Sequence, residues 1–391
     1  MSFSSFLNIV SLSTFSVFLL SCSSQTYKSS TSGDELSAPS VTIAVGGDWD
    51  DKWGKNGATE KSLTIGAAHD LILMAGDLSY HGRDGDTQYN IQNAKNWAAK
   101  ANSIVGNTPI LFVAGDHDSK EQDGDIITYA NALNLPDGTN GVMPPTGKLA
   151  GYDYEGHYPY LWFSDIIDGN VKVRVVGTSS AFQETKHEPI AVQKYLKNTY
   201  AVGSENYQWI EAVYADAKNK DYWILHLNHL PWIDMGKNQS FLDSQGLIDL
   251  ASTYGVNLLM TGSSHNIWRT KPLRTDQDEC PSIALTTHAD GANPACVGNF
   301  GNTHYKKSEG LIQVHAGVAG KTSALNLKKY PDACDPKADG EVMHYAADDT
   351  CVTKPITGIV SLEITETTLR GDFIQVDGNV FEPYSFEVKR D

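Results

Sequence analysis

The stretch Asp70–Tyr80, DLILMAGDLSY, joins a short run of apolar residues to a group of polar ones. The run LILMA is continuous rather than alternating, and this pattern favours a strand that is buried on both faces. Gly76 follows the run, and a glycine allows the backbone to turn sharply at this point. We expect the turn to bring Asp77 and Tyr80 back over the end of the strand, where both side chains can act as ligands.

Four more stretches repeat this order of an apolar run, a glycine or asparagine, and then a potential metal ligand. The ligands are Asp48 after VTIAVGG, Asp116 and His117 after TPILFVAG, His229 after DYWILHLN, and His265 after VNLLMTGSS. In open α/β sheets, small molecules and ions bind beyond the carboxyl ends of the strands. We therefore expect all these side chains to gather at one rim of the fold.

The segments between these runs have helical spacing, most clearly over residues 88–106, 205–220 and 241–255. Strands that alternate with helices predict an α/β architecture. Near the end of the chain, residues 358–388 alternate apolar and polar side chains across turn signals, which predicts closing antiparallel strands. We predict one domain over residues 41–391, with a cysteine-containing insertion around 270–350.

The N-terminus has the composition of a targeting segment. Residues 6–20 are apolar and rich in serine, too short a run for a transmembrane helix and typical of a signal-peptide core. We predict a signal peptide or lipoprotein signal over residues 1–25 and a flexible leader over 26–40. Residues 19–22 resemble a bacterial lipobox that would leave Cys22 lipidated, although they also suit an ordinary signal peptidase. The protein is expected to be secreted, or held at the cell surface or in the periplasm.

Four further cysteines lie in one region of the chain, at positions 280, 296, 334 and 351. An even number in an exported protein predicts two disulfides. The sequence leaves three connectivities open. Among them we favour the local pairs Cys280 with Cys296 and Cys334 with Cys351.

The formal charge of the chain is −17, with 47 acidic and 30 basic side chains. This charge repels a nucleic acid backbone and an anionic membrane surface, so neither is an expected partner. Contact with a membrane is expected only through a lipid anchor at Cys22. A small anionic substrate would need bound cations to overturn the negative field locally.

Taken together, the motifs resemble those of the metallophosphoesterase superfamily, and within it the purple acid phosphatases. That family carries a first aspartate motif, then Gly-Asp-x-x-Tyr, Gly-Asn-His, a His before x-Pro, and Gly-His-x-His. Here they stand as Gly47-Asp48, Gly76-Asp77-Leu78-Ser79-Tyr80, Gly115-Asp116-His117, His229-Leu230-Pro231 and Gly262-Ser263-Ser264-His265. The resemblance implies the family's α/β fold, in which two packed mixed β-sheets are flanked by helices in four αββα layers.

The resemblance also implies a role for each position. One metal ion would bind Asp48, Asp77, Tyr80 and His265, and a second would share Asp77 and bind Asp116 and His229. The expected pair is Fe(III), which suits a phenolate ligand, plus a divalent Fe, Zn, Mn or Mg ion. Asp77, as the bridging ligand, and His117, as a donor to the phosphoryl or leaving group, are the predicted catalytic residues. The implied activity is metal-dependent hydrolysis of a small phosphorylated substrate, most simply a phosphate monoester.

Two positions depart from the family pattern, and both belong to the second metal. Asp116 replaces the asparagine, and Ser263 replaces the first histidine of Gly-His-x-His. An imidazole is lost and a carboxylate gained, so this site is expected to be harder, more anionic and one ligand poorer. The alternative function is a binding protein that keeps the fold with an impaired or mononuclear site.

One other phosphate-binding pattern is present but incomplete. Gly320-Lys321-Thr322 matches the end of a P-loop, whereas the first glycine of that motif would fall at His315. No repeating βαβ context surrounds it, and a nucleotide site is therefore not predicted here.

Overall fold

The computed structural model describes most of the chain after residue 37. The described residues are 38–391 except 51–56, 84–85, 119–124, 134–145, 150–151, 180–199, 236–242, 264, 277, 284, 286–292, 322–344, 348–349 and 353–354. The predicted signal segment 1–25 and most of the leader 26–40 therefore lie outside the described residues. No helix of the described part is long and apolar enough to cross a membrane.

Strands and helices alternate over residues 41–132 and 205–261, as the apolar runs predict, whereas residues 146–178 form four consecutive antiparallel strands. The strands are β1 Val41–Gly46, β2 Leu71–Ala75, β3 Ile110–Val113, β4 Thr146–Leu149, β5 Tyr152–His157, β6 Leu161–Asp168, β7 Val171–Thr178, β8 Trp223–Asn228, β9 Leu258–Thr261, β10 Ile267–Arg269, β11 His304–Lys306, β12 Ile312–Ala316, β13 Gly358–Ile364, β14 Thr368–Gln375 and β15 Phe386–Lys389. The α-helices of the described part are α1 Ala58–Gly66, α2 Thr87–Val105, α3 Ile126–Ala132, α4 Glu205–Asn219 and α5 Ser244–Tyr254.

The strands form two mixed sheets. The first has seven strands in the order β11-β15-β14-β13-β1-β2-β3, and the second has eight in the order β10-β12-β9-β8-β7-β6-β5-β4. Strands β1, β2 and β3 run parallel to one another, as do β7, β8, β9 and β12. The closing strands β13, β14 and β15 are antiparallel, as their alternating sequence predicts.

The main apolar core lies between the two sheets. Leu73 and Phe112 of the first sheet share one buried cluster with Val175, Leu225 and Met260 of the second. Alternate residues of the second sheet point the other way, towards α4 and α5, where they form a second cluster. Because both faces of these strands are covered, their sequences read as continuous apolar runs.

Helices cover the outer faces of both sheets. Helix α1 packs on β1 and β13, and α4 packs on β8. Asp86 and Ser204 begin α2 and α4 by accepting a hydrogen bond from a backbone N–H of the first turn. This arrangement confirms the predicted fold of two packed mixed sheets flanked by helices.

The region 270–350 contributes to both sheets. Within it, β11 lies at the edge of the first sheet and β12 lies inside the second. The predicted disulfide between Cys280 and Cys296 is confirmed, with the two Cα atoms 5.1 Å apart. Cys351 is also disulfide-bonded, but its predicted partner Cys334 lies outside the described residues.

The disulfide predicts a measurable loss of stability when it is removed. Replacing both Cys280 and Cys296 by alanine should lower the free energy of unfolding by about 3 kcal/mol, because a closed loop of this length restricts the unfolded chain. Urea denaturation of the variant and the wild type, both under oxidising conditions, measures the difference. Equal denaturation midpoints and slopes would show that this bond does not stabilise the fold.

Candidate metal centre

The hydroxyl of Tyr80 lies at the centre of one group of predicted ligands. Its oxygen is 2.5 Å from Asp48 Oδ1, 2.7 Å from Asp77 Oδ2 and 3.1 Å from His265 Nε2. His265 Nε2 is in turn 3.0 Å from Asp48 Oδ1. Four side chains from three strand ends, in two different sheets, thus point at one another.

A second group lies beside the first. Asp77, Asp116 and His229 each offer one donor atom, and these three atoms all lie within 4.8 Å of one another. His229 Nε2 is 3.1 Å from Asp116 Oδ1 and 3.5 Å from Asp77 Oδ1. Asp77 therefore presents one carboxylate oxygen to each group, which is the arrangement that a bridging ligand requires.

A backbone carbonyl of the first sheet orients His229, which itself comes from the second sheet. His229 Nδ1 lies 2.7 Å from the carbonyl oxygen of Ala75. Because a carbonyl can only accept, Nδ1 carries a hydrogen and the Nε2 atom is the one that faces the carboxylates. Bonds of this kind fix the ring of metal-binding histidines in proteins.

The electrostatics of the cluster fit the binding of cations. Burial, together with the negative charges of Asp116 and Asp48, raises the pKa of Asp77 to about 6. Burial acts to lower the pKa of His229, but Asp77 and Asp116 outweigh it and hold that pKa well above its usual range. Asp48 Oδ2 is buried without a hydrogen-bond partner among the residues that the structure describes. Buried carboxylates need compensating positive charge, and the donor set of oxygen and imidazole atoms suits hard or borderline metal ions.

The loops that carry the ligands adopt an unusual backbone conformation. Asp48, Asp77, Ser263 and His265 all have positive φ, at 56°, 54°, 63° and 48°. For residues other than glycine this conformation costs roughly 1–2 kcal/mol each. Such strain is typical of functional sites whose surroundings hold the backbone in place.

Two glycines allow the ligand loops of the two sheets to touch. A Cβ atom on Gly47 would lie 2.7 Å from the Cα atom of Gly262. The N–H of Gly47 also donates to the carbonyl of Ala316 in the second sheet, at 2.8 Å. These contacts bring Asp48 of one sheet close to His265 of the other.

Asp118, which the sequence analysis did not identify, holds the Asp77 loop in place. Its buried carboxylate accepts hydrogen bonds from the N–H groups of Asp77 at 2.9 Å, Leu78 at 2.8 Å and Gly115 at 2.8 Å. Burial, with the charge of Asp77 in addition, raises the pKa of Asp118 to about 7. The only sequence signal was the second aspartate of the motif Asp116-His117-Asp118.

His117 and Lys321 both contact the ring of Tyr80, and both are partly exposed. The His117 side chain is 33% exposed, and its ring centroid is 4.4 Å from that of Tyr80. The ammonium of Lys321 lies 3.6 Å from the centroid of the same Tyr80 ring. Lys321 is the second residue that sequence reasoning missed, because its glycine-lysine-threonine pattern suggested only an incomplete P-loop.

The two departures from the family pattern occupy different positions around the cluster. Asp116 belongs to the second group of ligands and is partly exposed. Ser263 is buried at the end of β9, where its carbonyl accepts a hydrogen bond of 2.7 Å from the N–H of His265. The structure therefore places all six predicted metal ligands together, and Ser263 lies two residues before one of them, His265.

The network around Asp118 predicts that this residue controls metal affinity without being a ligand. Asp118→Asn offers one acceptor oxygen instead of two, so the loops of Asp77 and Gly115 lose part of their support. Metal affinity should fall by about tenfold to a hundredfold, as is usual when a partner of a ligand is removed. Titration with Mn²⁺ or Zn²⁺, followed by calorimetry, measures the change. Wild-type affinity in a folded Asp118→Asn protein would contradict this role.

Comparisons with known proteins agree with this geometry. A family model described as calcineurin-like phosphoesterase matches residues 41–266. A search of curated proteins returned no match. Among solved structures, a purple acid phosphatase from yellow lupin (Lupinus luteus) seeds has a TM-score of 0.57 and 18% identity, over 90% of this chain and 54% of that one. GAP50, described as the anchor in the inner membrane complex of Plasmodium, has a TM-score of 0.52 and 11% identity, over 90% and 91%.

At these identities the two structures show likeness of fold, and this chain spans about half the length of the lupin protein. The family model, in contrast, matches more than half of the chain and covers the loops of all five ligand-bearing strands. On this match, together with the donor cluster at the strand ends, the protein belongs to the calcineurin-like phosphoesterase family.

Proposed function

We propose that the protein is a metal-dependent phosphohydrolase that acts on phosphate monoesters. One observation carries this proposal: Asp77 and five other oxygen and imidazole side chains, from five strand ends in all, converge in the two groups described above. The partly exposed His117 stands next to them. Cations bound at this point would reverse the negative field of the chain locally and allow a phosphate group to approach.

The residues divide between two ions. Asp48, Asp77, Tyr80 and His265 would hold one, and Asp77, Asp116 and His229 would hold the other. When bound, such a pair binds phosphate oxygens and lowers the pKa of a water molecule, which supplies the nucleophile. The phenol of Tyr80 suits Fe(III), and the additional carboxylate of Asp116 suits Mg²⁺ or Mn²⁺.

His117 is the proposed proton donor to the leaving group. Its backbone N–H donates to Asp77 Oδ1 at 2.9 Å, which ties its position to the bridging ligand. Its Nε2 atom lies 3.9 Å from Asp116 Oδ2, a ligand of the second group. A partly exposed imidazole in this place can transfer a proton to the substrate and recover it from solvent.

We also propose that the protein is exported. The apolar segment of residues 6–20 supports this location, as does the disulfide between Cys280 and Cys296, since disulfides persist mainly outside the reducing cytosol. Anchoring through a lipid on Cys22 stays part of the same proposal.

A binding protein with an impaired or mononuclear site is the second candidate. Ser263 at the place of a family histidine favours it, because the second ion would then have three side-chain ligands at most. The similarity in fold to GAP50, which is described as an anchor, is compatible with it.

Turnover by the purified protein tests the proposal. With Mn²⁺, Zn²⁺ or iron present, p-nitrophenyl phosphate should be hydrolysed, and bis-p-nitrophenyl phosphate more slowly. Asp77→Asn should reduce turnover by about a hundredfold or more, because a bridging ligand matters more than a supporting partner, whose loss already costs tenfold to a hundredfold. Asp168→Asn, an exposed change at the end of β6, is the matched control. A protein that binds metal but hydrolyses neither ester would favour the second candidate.

The residue at position 263 should set how firmly the second ion is held. Dialysed wild-type protein should keep nearer one ion than two, and Ser263→His should raise this number by returning an imidazole. Histidine tolerates positive φ better than most residues, so the backbone at 63° does not oppose the change. Elemental analysis gives the metal content, with Ser103→His on the exposed face of α2 as the control. Equal metal content in wild type and Ser263→His would show that Ser263 does not occupy a vacated ligand position.

A further inference from the structure

The segment Gly317–Lys321 follows directly after β12 and lies along the loop that carries Asp48. The N–H of Ala319 donates to the carbonyl of Gly47 at 3.0 Å. The N–H groups of Gly320 and Lys321 both donate to the carbonyl of Asp48, at 3.1 and 2.9 Å. Three backbone hydrogen bonds therefore fix this segment to the loop of a metal ligand.

The backbone of this segment is closely packed at its two glycines. A Cβ atom on Gly317 would lie 2.7 Å from Asp48 Oδ2, and one on Gly320 would lie 2.3 Å from the backbone nitrogen of Asp50. Real Cβ atoms do not approach other atoms this closely, so both positions require glycine. The backbone position of Lys321 is therefore constrained by close packing at Gly317 and Gly320.

The side chain of Lys321 extends from this segment to the ring of Tyr80 in the metal centre. Lys321 Nζ lies 3.6 Å from the centroid of the Tyr80 ring, and the hydroxyl of that ring is within 2.7 Å of both Asp48 and Asp77. The His117 ring contacts the same tyrosine. Lys321 is half-buried, and within the described part of the chain its ammonium forms no ion pair with a carboxylate.

We propose that Lys321 binds the phosphoryl group of the substrate. This inference rests on the proposed function, since it concerns the same site. A half-buried ammonium that has no carboxylate partner among the described residues can donate to an incoming anion, and lysine is a common ligand of phosphate. In a chain of charge −17, it is the cationic side chain that the fold fixes against Tyr80. The competing explanation is a purely structural contact between the ammonium and the ring.

Three variants separate the two explanations. Lys321→Met keeps the length of the side chain and its apolar packing but removes the charge, and Lys321→Arg keeps the charge. Lys95→Met removes an exposed lysine from α2 and serves as the control. Each protein is loaded with Mn²⁺ and its metal content is measured. The dissociation constant of inorganic phosphate is then obtained by calorimetry, and KM and kcat are obtained with p-nitrophenyl phosphate.

Loss of one charge-assisted hydrogen bond should raise the dissociation constant of phosphate, and KM, by about tenfold in Lys321→Met. Metal content, melting temperature and kcat should stay near the wild-type values, and Lys321→Arg should recover most of the affinity. Phosphate affinity that is unchanged in Lys321→Met overturns the inference. A variant that loses only thermal stability or bound metal, with its phosphate affinity intact, overturns it as well. Wild type that binds phosphate through Lys321 but hydrolyses nothing would refute the proposed function and leave this inference standing.

Discussion

The hydrogen bonds of the Asp118 carboxylate are the constraint on which the metal centre depends. They join the N–H groups of Asp77, Leu78 and Gly115, and so connect the loops that follow β2 and β3. Asp77 needs this support because its backbone is left-handed and its side chain must face two groups of ligands at once. Without a fixed Asp77, the two groups of ligands would share no residue.

A second requirement is that the two sheets meet at the same rim. Asp48, Asp77 and Asp116 follow strands of the first sheet, whereas His229 and His265 follow strands of the second. The carboxylate ligands therefore all come from the first sheet and the imidazole ligands from the second, whereas His117, which is not a ligand, follows β3 of the first sheet. The glycines at 47 and 262 make the meeting possible by removing side chains where the loops touch.

Much of this arrangement could be predicted from the sequence. Continuous apolar runs gave the positions of the parallel strands, and the residue after each run gave the ligands, because a buried strand must end at the surface. Asp118 and Lys321 could not be found in this way. The role of Asp118 depends on backbone groups 40 residues away in the chain, and that of Lys321 depends on a segment that pairs with the Asp48 loop only after folding. The contribution of β11 and β12 to the sheets was missed as well, because no metal-ligand motif follows either strand and both belong to a region rich in loops.

The contact between His229 and the carbonyl of Ala75 also has a consequence for how the protein responds to heat. Ligands from opposite sheets would have to separate before the core between the sheets could open. A bound ion would therefore hold the two sheets together at this rim. An ion that binds only the folded chain adds about 2.7 kcal/mol to its stability at a hundred times the dissociation constant. The concentration of free metal in the surroundings would then help to set the temperature at which the two sheets come apart.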